Sequence, residues 1–171
     1  IQNFCNKNNL NYAILRFFNV AGSSSSGKIG QINKGDQLFK NLSAQVIKKK
    51  PVFKIYGTNY NTKDGTCVRD YIHVSDIAEI HFKVLNKISA IGKSKVLNCG
   101  YNNGFSVYEV IKEFKKYASK DLKIMKLPRR AGDMTKITAN NNNLIKFIKW
   151  KPKYDKLSLM VRSSLKWEKN I

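Results

Sequence analysis

Five arginines stand in a chain that otherwise carries its positive charge on 27 lysines. Lysine replaces arginine freely on a solvated surface. It does not do so where a planar, bidentate fork must grip a phosphate or carboxylate, so an arginine kept against that background is informative. Arg69 lies in the run from Tyr60 through Asp64-Gly65-Thr66-Cys67-Val68-Arg69-Asp70-Tyr71-Ile72-His73-Val74, and Arg129 and Arg130 lie in Pro128-Arg129-Arg130-Ala131-Gly132-Asp133. Arg130 and Asp133, three apart in a turn, suit an anionic nucleotide: the guanidinium takes phosphate oxygens and the carboxylate accepts from ribose hydroxyls. Asn19 ends the apolar run Leu15-Arg16-Phe17-Phe18 and precedes small residues. Plainer roles are open to each residue. Arg69 and Asp70 can form a local ion pair with Tyr71 in the core, Asp133 can satisfy its own turn, and an asparagine can simply cap a strand.

A scaffold must bring these residues together, and the pattern of short apolar runs alternating with helical segments is that of an α/β fold. Ala13 to Phe18 reads as a buried strand that enters a serine- and glycine-rich loop from Asn19 to Gly35. Ligands of open α/β sheets sit beyond the carboxyl ends of strands, which places Asn19 at a binding edge. Leu38, Leu42, Val46 and Ile47 predict a helix from about Asp36 to Lys49, stopped before Pro51. Val52 to Tyr56 reads as a strand and Gly57 to Gly65 as a polar loop. After His73 a helix capped by Ser75 or Asp76 is expected, with Ile77, Ile80, Val84 and Leu85 on its apolar face. Val96 to Cys99 is a strand ending at Gly100. Ser106 to Glu109 has the form of a capping box that opens a helix to about Tyr117. Leu122 to Leu127 reads as a strand, and two helices are expected around Leu144 and Leu157.

Other chemistries lack their residues. A dinucleotide-binding unit needs a glycine-rich turn from a strand into a helix N-terminus, and neither Gly27-Lys28-Ile29-Gly30 nor Gly100 to Gly104 has that spacing or setting. No P-loop, H-E-x-x-H or G-x-S-x-G pattern occurs. His73 and His81 do not space with Cys5, Cys67 or Cys99 as zinc ligands would, so a structural role is expected for both and no metal. Tyr108 and Lys112 form one Y-x-x-x-K string, a pairing able to act as a base with its helper. Here it lies inside the capped helix with no cofactor motif before it, and reads as helix surface.

The 171 residues carry 32 Lys and Arg against 11 Asp and Glu, a formal charge of +21. Lysine, asparagine and isoleucine all come from A/T-rich codons, and the lysines spread along the chain, so a solvated basic surface explains the charge better than a nucleic-acid module. At 42% hydrophobic the chain can bury a core. No apolar run approaches the roughly 20 residues of a membrane span. Three widely spaced cysteines argue against a disulfide framework and fit a reducing cytosol, so a cytoplasmic location is expected. The chain opens on Ile1 without the layout of a signal peptide, which fits a fragment or trimmed piece.

In order, F-F-N-x-A-G, D-G-T-x-V-R-D-Y-I-H-V-x-D, N-x-G-x-x-x-G-x-S-V-x-E-V and R-R-x-G-D resemble the C-terminal half of the UDP-glucose 4-epimerases. These are NAD-dependent enzymes of the extended short-chain dehydrogenase type. The likeness runs from about Tyr12 to Trp167, and the D-G-T-x-V-R-D-Y-I-H-V stretch sets it apart from related dehydratases and decarboxylases. The resemblance implies the last strands of a Rossmann-type sheet and a smaller α/β substrate domain. Residues 1–22 would end the dinucleotide-binding domain and 23–171 would mostly form the UDP-sugar domain, with 68–100 partly returning to the main sheet. It also implies that Asn19 contacts the UDP diphosphate, Arg69 and Arg130 bind its phosphates, Asp133 holds ribose, Tyr56 lies at the uracil pocket and Tyr71 lines the nucleotide site. Leu38 falls in a segment that contacts substrate in the family. The family's reaction oxidises carbon 4 of the sugar reversibly: a tyrosine helped by a lysine removes the hydroxyl proton while hydride passes to NAD, and the ketone turns before hydride returns.

The chain also departs from the family pattern. The family's glycine-rich turn and catalytic Y-x-x-x-K precede the strand matching Leu15 to Asn19, which puts them upstream of Ile1. No turnover is therefore expected from this chain alone. Where the family shows two polar residues, Leu, an apolar residue and Pro, this chain has Asp36-Gln37-Leu38-Phe39-Lys40, and an acid beside a diphosphate is unfavourable. Ile137 stands where some relatives carry a tyrosine near the sugar 2-substituent, and its smaller side chain suggests room for N-acetylated sugars. A UDP-sugar is the expected partner, with an N-terminal half or a second copy as candidate protein partners. A decayed fragment that binds nothing and a basic nucleic-acid module are the alternatives.

Overall fold

Alternation sets the strands. In Val52–Tyr56 (β3), Phe53 and Ile55 are buried while Lys54 and Tyr56 are exposed, the period of two that a half-buried strand requires. The computed structural model describes every residue except Lys34, Asp36 and Ser119. Its elements run α1 (Gln2–Lys7), β1 (Ala13–Phe17), β2 (Asn19–Ala21), α2 (Leu38–Val46), β3, β4 (Val68–His73), α3 (Val74–Ile91), β5 (Lys95–Cys99), β6 (Gly104–Ser106), α4 (Val107–Lys115), β7 (Lys123–Leu127), β8 (Lys136–Ile137), α5 (Asn142–Ile148) and α6 (Leu157–Asn170). The fold is mixed α/β, and among the described residues no helix is long and apolar enough to cross a membrane.

The strand expected from Ala13 to Phe18 ends at Phe17, and a second short strand occupies Asn19–Ala21, where a loop was expected. β1 pairs in parallel with β5, whereas β2, just beyond Phe18, pairs in parallel with β4. Nor is β1 buried: Ala13, Arg16 and Phe17 are exposed, and Ile14 and Leu15 are half-buried. β4 is the organising strand. Asn19 of β2 stands beside Tyr71, Phe105 of antiparallel β6 beside Arg69, and Ile137 of parallel β8 also beside Arg69. The backbone of Arg69 is thus paired on both edges.

The helices show where local rules suffice. In α4 the Ser106 hydroxyl accepts from Glu109 N–H at 3.0 Å and the Glu109 carboxylate accepts from Ser106 N–H at 2.7 Å, the reciprocal cap its sequence implies. Val110, Ile111 and Phe114 then face the core, and the helix ends at Lys115, two residues short of expectation. α2 begins at Leu38 and ends at Val46, shorter than expected at its C-terminal end as well; Asp36 lies outside the described residues.

Two details of α3 correct the sequence reading. Its N-cap is His73, whose Nδ1 accepts from Ser75 N–H at 3.1 Å, in place of Ser75 or Asp76. Leu85 is 65% exposed, and Ile88 completes the buried face with Ile77, Ile80 and Val84. The turn of 100° per residue carries Leu85 off the stripe that these four residues define. Gly92, left-handed at φ 61°, ends the helix with its N–H on Ile88 O.

Two apolar clusters form the interior. One joins Phe39, Leu42 and Val46 of α2 to Phe53, Ile55, Tyr71, Phe114 and Met160. The other joins the buried face of α3 to Ile72, Leu97, Cys99, Leu144 and Trp150, and Tyr101 packs against both.

Candidate functional site

The cleft is built where β2, β3 and β4 end beside the start of α2. It has a volume of about 1370 Å³, and Asn19, Leu38, Tyr56, Arg69, Tyr71, Arg130 and Asp133 are among its lining residues. Seven of the eight residues singled out from sequence therefore share one space, although they are spread over more than a hundred positions. The eighth, Ile137, is not among the lining residues. It is half-buried in β8 and takes part in the ladder that holds the Arg69 backbone. Asp36 lies outside the described residues, while its neighbours Gln37 and Leu38 line the cleft.

Asp133 is the point of convergence. Its Oδ2 accepts from Arg130 Nε at 3.1 Å, and its Oδ1 lies 3.7 Å from Arg69 Nη2. The ion pair considered between Arg69 and Asp70 does not form, because neighbours on a strand point to opposite faces. Arg69 retains only 13% side-chain exposure, whereas Arg130 retains 49% and extends its guanidinium 5.0 Å from the centre of the Tyr56 ring. Arg129 has a different task. It is fixed outside this cluster, with Nε donating to Asn59 Oδ1 at 2.7 Å, Nη2 donating to Asn59 O, and its guanidinium 4.1 Å over the Tyr60 ring.

Tyr71 forms the apolar floor. It packs against Phe39 at 5.1 Å, and burial pushes its hydroxyl pKa well above the usual tyrosine value, so it is not poised as a base. Asn19 is exposed and, instead of ending the preceding strand, is the first residue of β2. The turn before Arg69 is fixed by Asp64. That carboxylate accepts from Thr66 N–H at 2.9 Å, from Thr66 Oγ1 at 2.7 Å and from the Ser106 hydroxyl. Burial opposes its charge, but these hydrogen bonds outweigh burial and hold its pKa below the usual range. Gly65 is required here: at φ 79° a side chain would strike the carbonyl of Thr58.

Several lining residues escaped the sequence reading. Lys40 and Glu168 both line the cleft and form a largely buried ion pair at 2.7 Å, linking α2 to α6. They are 128 positions apart, and no local pattern joins them. Lys54 also lines the cleft. Its place two residues before Tyr56 on a strand, hence on the same face, was the available signal. Among the described lining residues Lys40, Lys54, Arg69 and Arg130 oppose Asp133 and Glu168, so the cleft carries two net positive charges.

The resemblance also implies NAD, whose pyrophosphate needs free amides at a helix start behind a glycine-rich turn. The start of α3 is capped by His73 Nδ1 and that of α4 by its capping box, and neither follows such a turn. Neither of these two helix starts forms that cradle. Tyr108 and Lys112 sit on α4, half-buried and exposed respectively, and neither is among the cleft residues. Both histidines serve structure. His73 is buried with Nε2 3.0 Å from Ser163 Oγ, and exposed His81 places Nδ1 2.8 Å from Ile77 O.

Known proteins resemble the chain in sequence and in fold. Residues 1–100 match the model of the NAD dependent epimerase/dehydratase family. The chain is 38% identical over 163 residues to a UDP-glucose 4-epimerase of Azospirillum brasilense, covering 95% of this chain and 47% of that protein. Among solved structures it resembles the UDP-glucose 4-epimerase of Stenotrophomonas maltophila (TM-score 0.92, 31% identity), over 99% of this chain and 51% of that one. It also resembles the enzyme of Bifidobacterium longum in complex with NAD+ and UDP (TM-score 0.87, 33% identity), again over 99% and 51%. The chain spans about half the length of the relatives it matches. Its mixed α/β fold and its sequence together place it in the NAD dependent epimerase/dehydratase family.

Proposed function

We propose that this chain binds UDP and UDP-linked hexoses and serves as the nucleotide-sugar-binding part of a UDP-glucose 4-epimerase. The observation that carries the reading is the meeting of Arg69, Arg130 and Asp133 beside Tyr56 in one cleft. Two guanidiniums suit a diphosphate, and the net charge of +2 along the lining balances the two charges of a UDP-hexose. Asp133 already accepts from Arg130 and lies in ion-pair range of Arg69; a ribose hydroxyl would donate to the same carboxylate, leaving the guanidiniums free to turn to phosphate. The aromatic face of Tyr56 offers a surface on which a base can stack.

In such an enzyme NAD supplies the reversible oxidation at carbon 4, and the role of this chain is to hold the UDP end while the sugar turns. Binding energy gathered at the nucleotide keeps the reacting end in reach without gripping the sugar itself. The cleft contains neither Tyr108 nor Lys112, and the purified chain should show no interconversion of UDP-glucose and UDP-galactose.

Calorimetry across a range of salt concentrations tests the proposal, with UDP as ligand and an unrelated oligonucleotide as comparison. Saturable UDP binding that exceeds uridine binding is expected. Oligonucleotide binding with a steep salt dependence and no UDP signal would mean that the +21 charge is a nucleic-acid surface, and the proposal would fail.

A further inference from the structure

We propose that Asp70, which faces away from the cleft, is a positioning residue for the anion site: its carboxylate sets the spacing of Arg69 and Asp133 by holding the segments behind both. The inference rests on the UDP-binding reading above. Asp70 is fully buried, and among the described residues it forms no salt bridge. Its charge is met by backbone. Oδ1 accepts from Tyr101 N–H at 2.9 Å, and Oδ2 accepts from Asn102 N–H at 2.9 Å and from Ala139 N–H at 3.0 Å. Two segments distant in sequence, one after β5 and one after β8, are therefore fastened to the residue next to Arg69. A third tie joins them directly, with Asn141 Nδ2 donating to Gly100 O at 2.7 Å. Only glycine fits at position 100, because a Cβ there would lie 2.8 Å from Asp70 Oδ2 and 2.5 Å from Ala139 Cβ.

The need for this knot follows from the shortness of β8. Its two residues pair with Val68 and Arg69, helped by Val68 N–H donating to Thr135 O at 2.9 Å. A two-residue ladder specifies register weakly. A slip of one residue displaces a strand by about 3.3 Å, enough to abolish a contact of the kind Asp133 makes with Arg69. Asp133 lies three positions before β8 and Ala139 two positions after it. The bond from Ala139 to Asp70 fixes the far end of this short strand, and so fixes where Asp133 and Arg130 stand relative to Arg69.

The test uses UDP calorimetry on the full chain, with folding of each variant followed by circular dichroism. Asp70→Asn should weaken UDP binding by about tenfold in the folded population, and should add nothing when Arg69 is already methionine, because it acts through that arginine. Leu144→Ala, which opens a cavity in the α3 cluster, supplies the control for lost stability alone and should leave UDP affinity unchanged. If Asp70→Asn does not fold, Asn141→Ala removes the weaker tie between the same segments. It should cost about threefold, with the same dependence on Arg69. The proposal is overturned if the losses from the Asp70 or Asn141 variant and from Arg69→Met multiply, or if Leu144→Ala reproduces the loss. Failure of the unsubstituted chain to bind UDP overturns the functional reading as well, and is recognised before any variant is made.

Discussion

The two faces of β4 handle charge in opposite ways. Toward the cleft, Arg69 and Arg130 share one carboxylate at 3.7 and 3.1 Å, Arg69 also donates to Val68 O at 3.0 Å, and Arg130 is half open to solvent. On the buried sides of β4 and α3, the carboxylates of Asp70 and Asp76 are fully buried and saturated by donors in fixed positions. Asp76 accepts from Tyr101 Oη at 2.6 Å and from the backbone N–H groups of Lys153 and Tyr154 at 3.2 and 3.0 Å. A buried polar group without partners is costly, so the hidden side must be complete before any ligand arrives. The cleft side can stay incomplete, because solvent screens it. The difference separates residues that make the fold from residues that make the site, although both kinds are charged and two of them are adjacent.

The separation can be broken first at Asp76. Asp76→Ala leaves the Tyr101 hydroxyl and two backbone N–H groups without an acceptor. Chemical denaturation should register a loss of about 3 kcal/mol, while the molecules that remain folded bind UDP almost normally. A loss below about 1 kcal/mol would mean that water replaces the carboxylate and that the buried side is less closed than its hydrogen bonds imply.

The cleft should respond in the reverse sense. Arg69→Met is expected to weaken UDP binding by about fiftyfold with little change in stability, and Arg130→Met by about tenfold, since its side chain is half solvated. Arg129→Met should lower thermal stability slightly, by releasing Asn59 and Tyr60, and leave UDP affinity within about twofold. Equal losses of affinity from all three would show that general positive charge, and not the convergence on Asp133, attracts the nucleotide.

Much of this was readable from residue types, and the exceptions share a cause. The capping box at Ser106, the alternation in β3 and the persistence of arginine at 69 and 130 are local signals, and each located an element or a residue that lines the cleft. β6 and β8 are two or three residues long and exist because β4 stands beside them, so no periodicity announces them. The division of Ala13 to Ala21 into β1 and β2 likewise depends on which partner each half meets. His73 as an N-cap, Asp70 as a knot and the pairing of Lys40 with Glu168 are all tertiary facts.

A smaller effect belongs to the cap of α4. Ser106→Ala removes the acceptor for Glu109 N–H and the hydroxyl that donates to Asp64. A loss of about 1–2 kcal/mol is expected by denaturation, with UDP affinity nearly unchanged because the rest of the Asp64 turn persists through Thr66. The Asp64 pKa, held low in the fold, should then rise toward its usual value. The stability that Asp64 contributes is present above that usual value and lost as pH falls through the folded one, so the wild-type chain should resist acid better than the variant.

The smallest effect concerns His73, at the junction of the two faces. Burial lowers its pKa below 6.5, with Asp76 only partly opposing. Its ring stacks on Tyr154 at 4.5 Å, and because Nδ1 accepts from Ser75, the proton of the neutral ring sits on Nε2 and faces Ser163. A base with a lowered pKa stays neutral in the fold while the unfolded chain takes up a proton. Its contribution is complete above 6.5 and declines as pH falls below that value toward the folded pKa. Between about pH 7.5 and 5.5 the unsubstituted chain should therefore lose more stability than His73→Gln, which cannot titrate. Parallel stability curves would show that the ring exchanges protons freely and that solvent reaches this side of β4 as well. The contrast between a closed and an open face would then be one of degree.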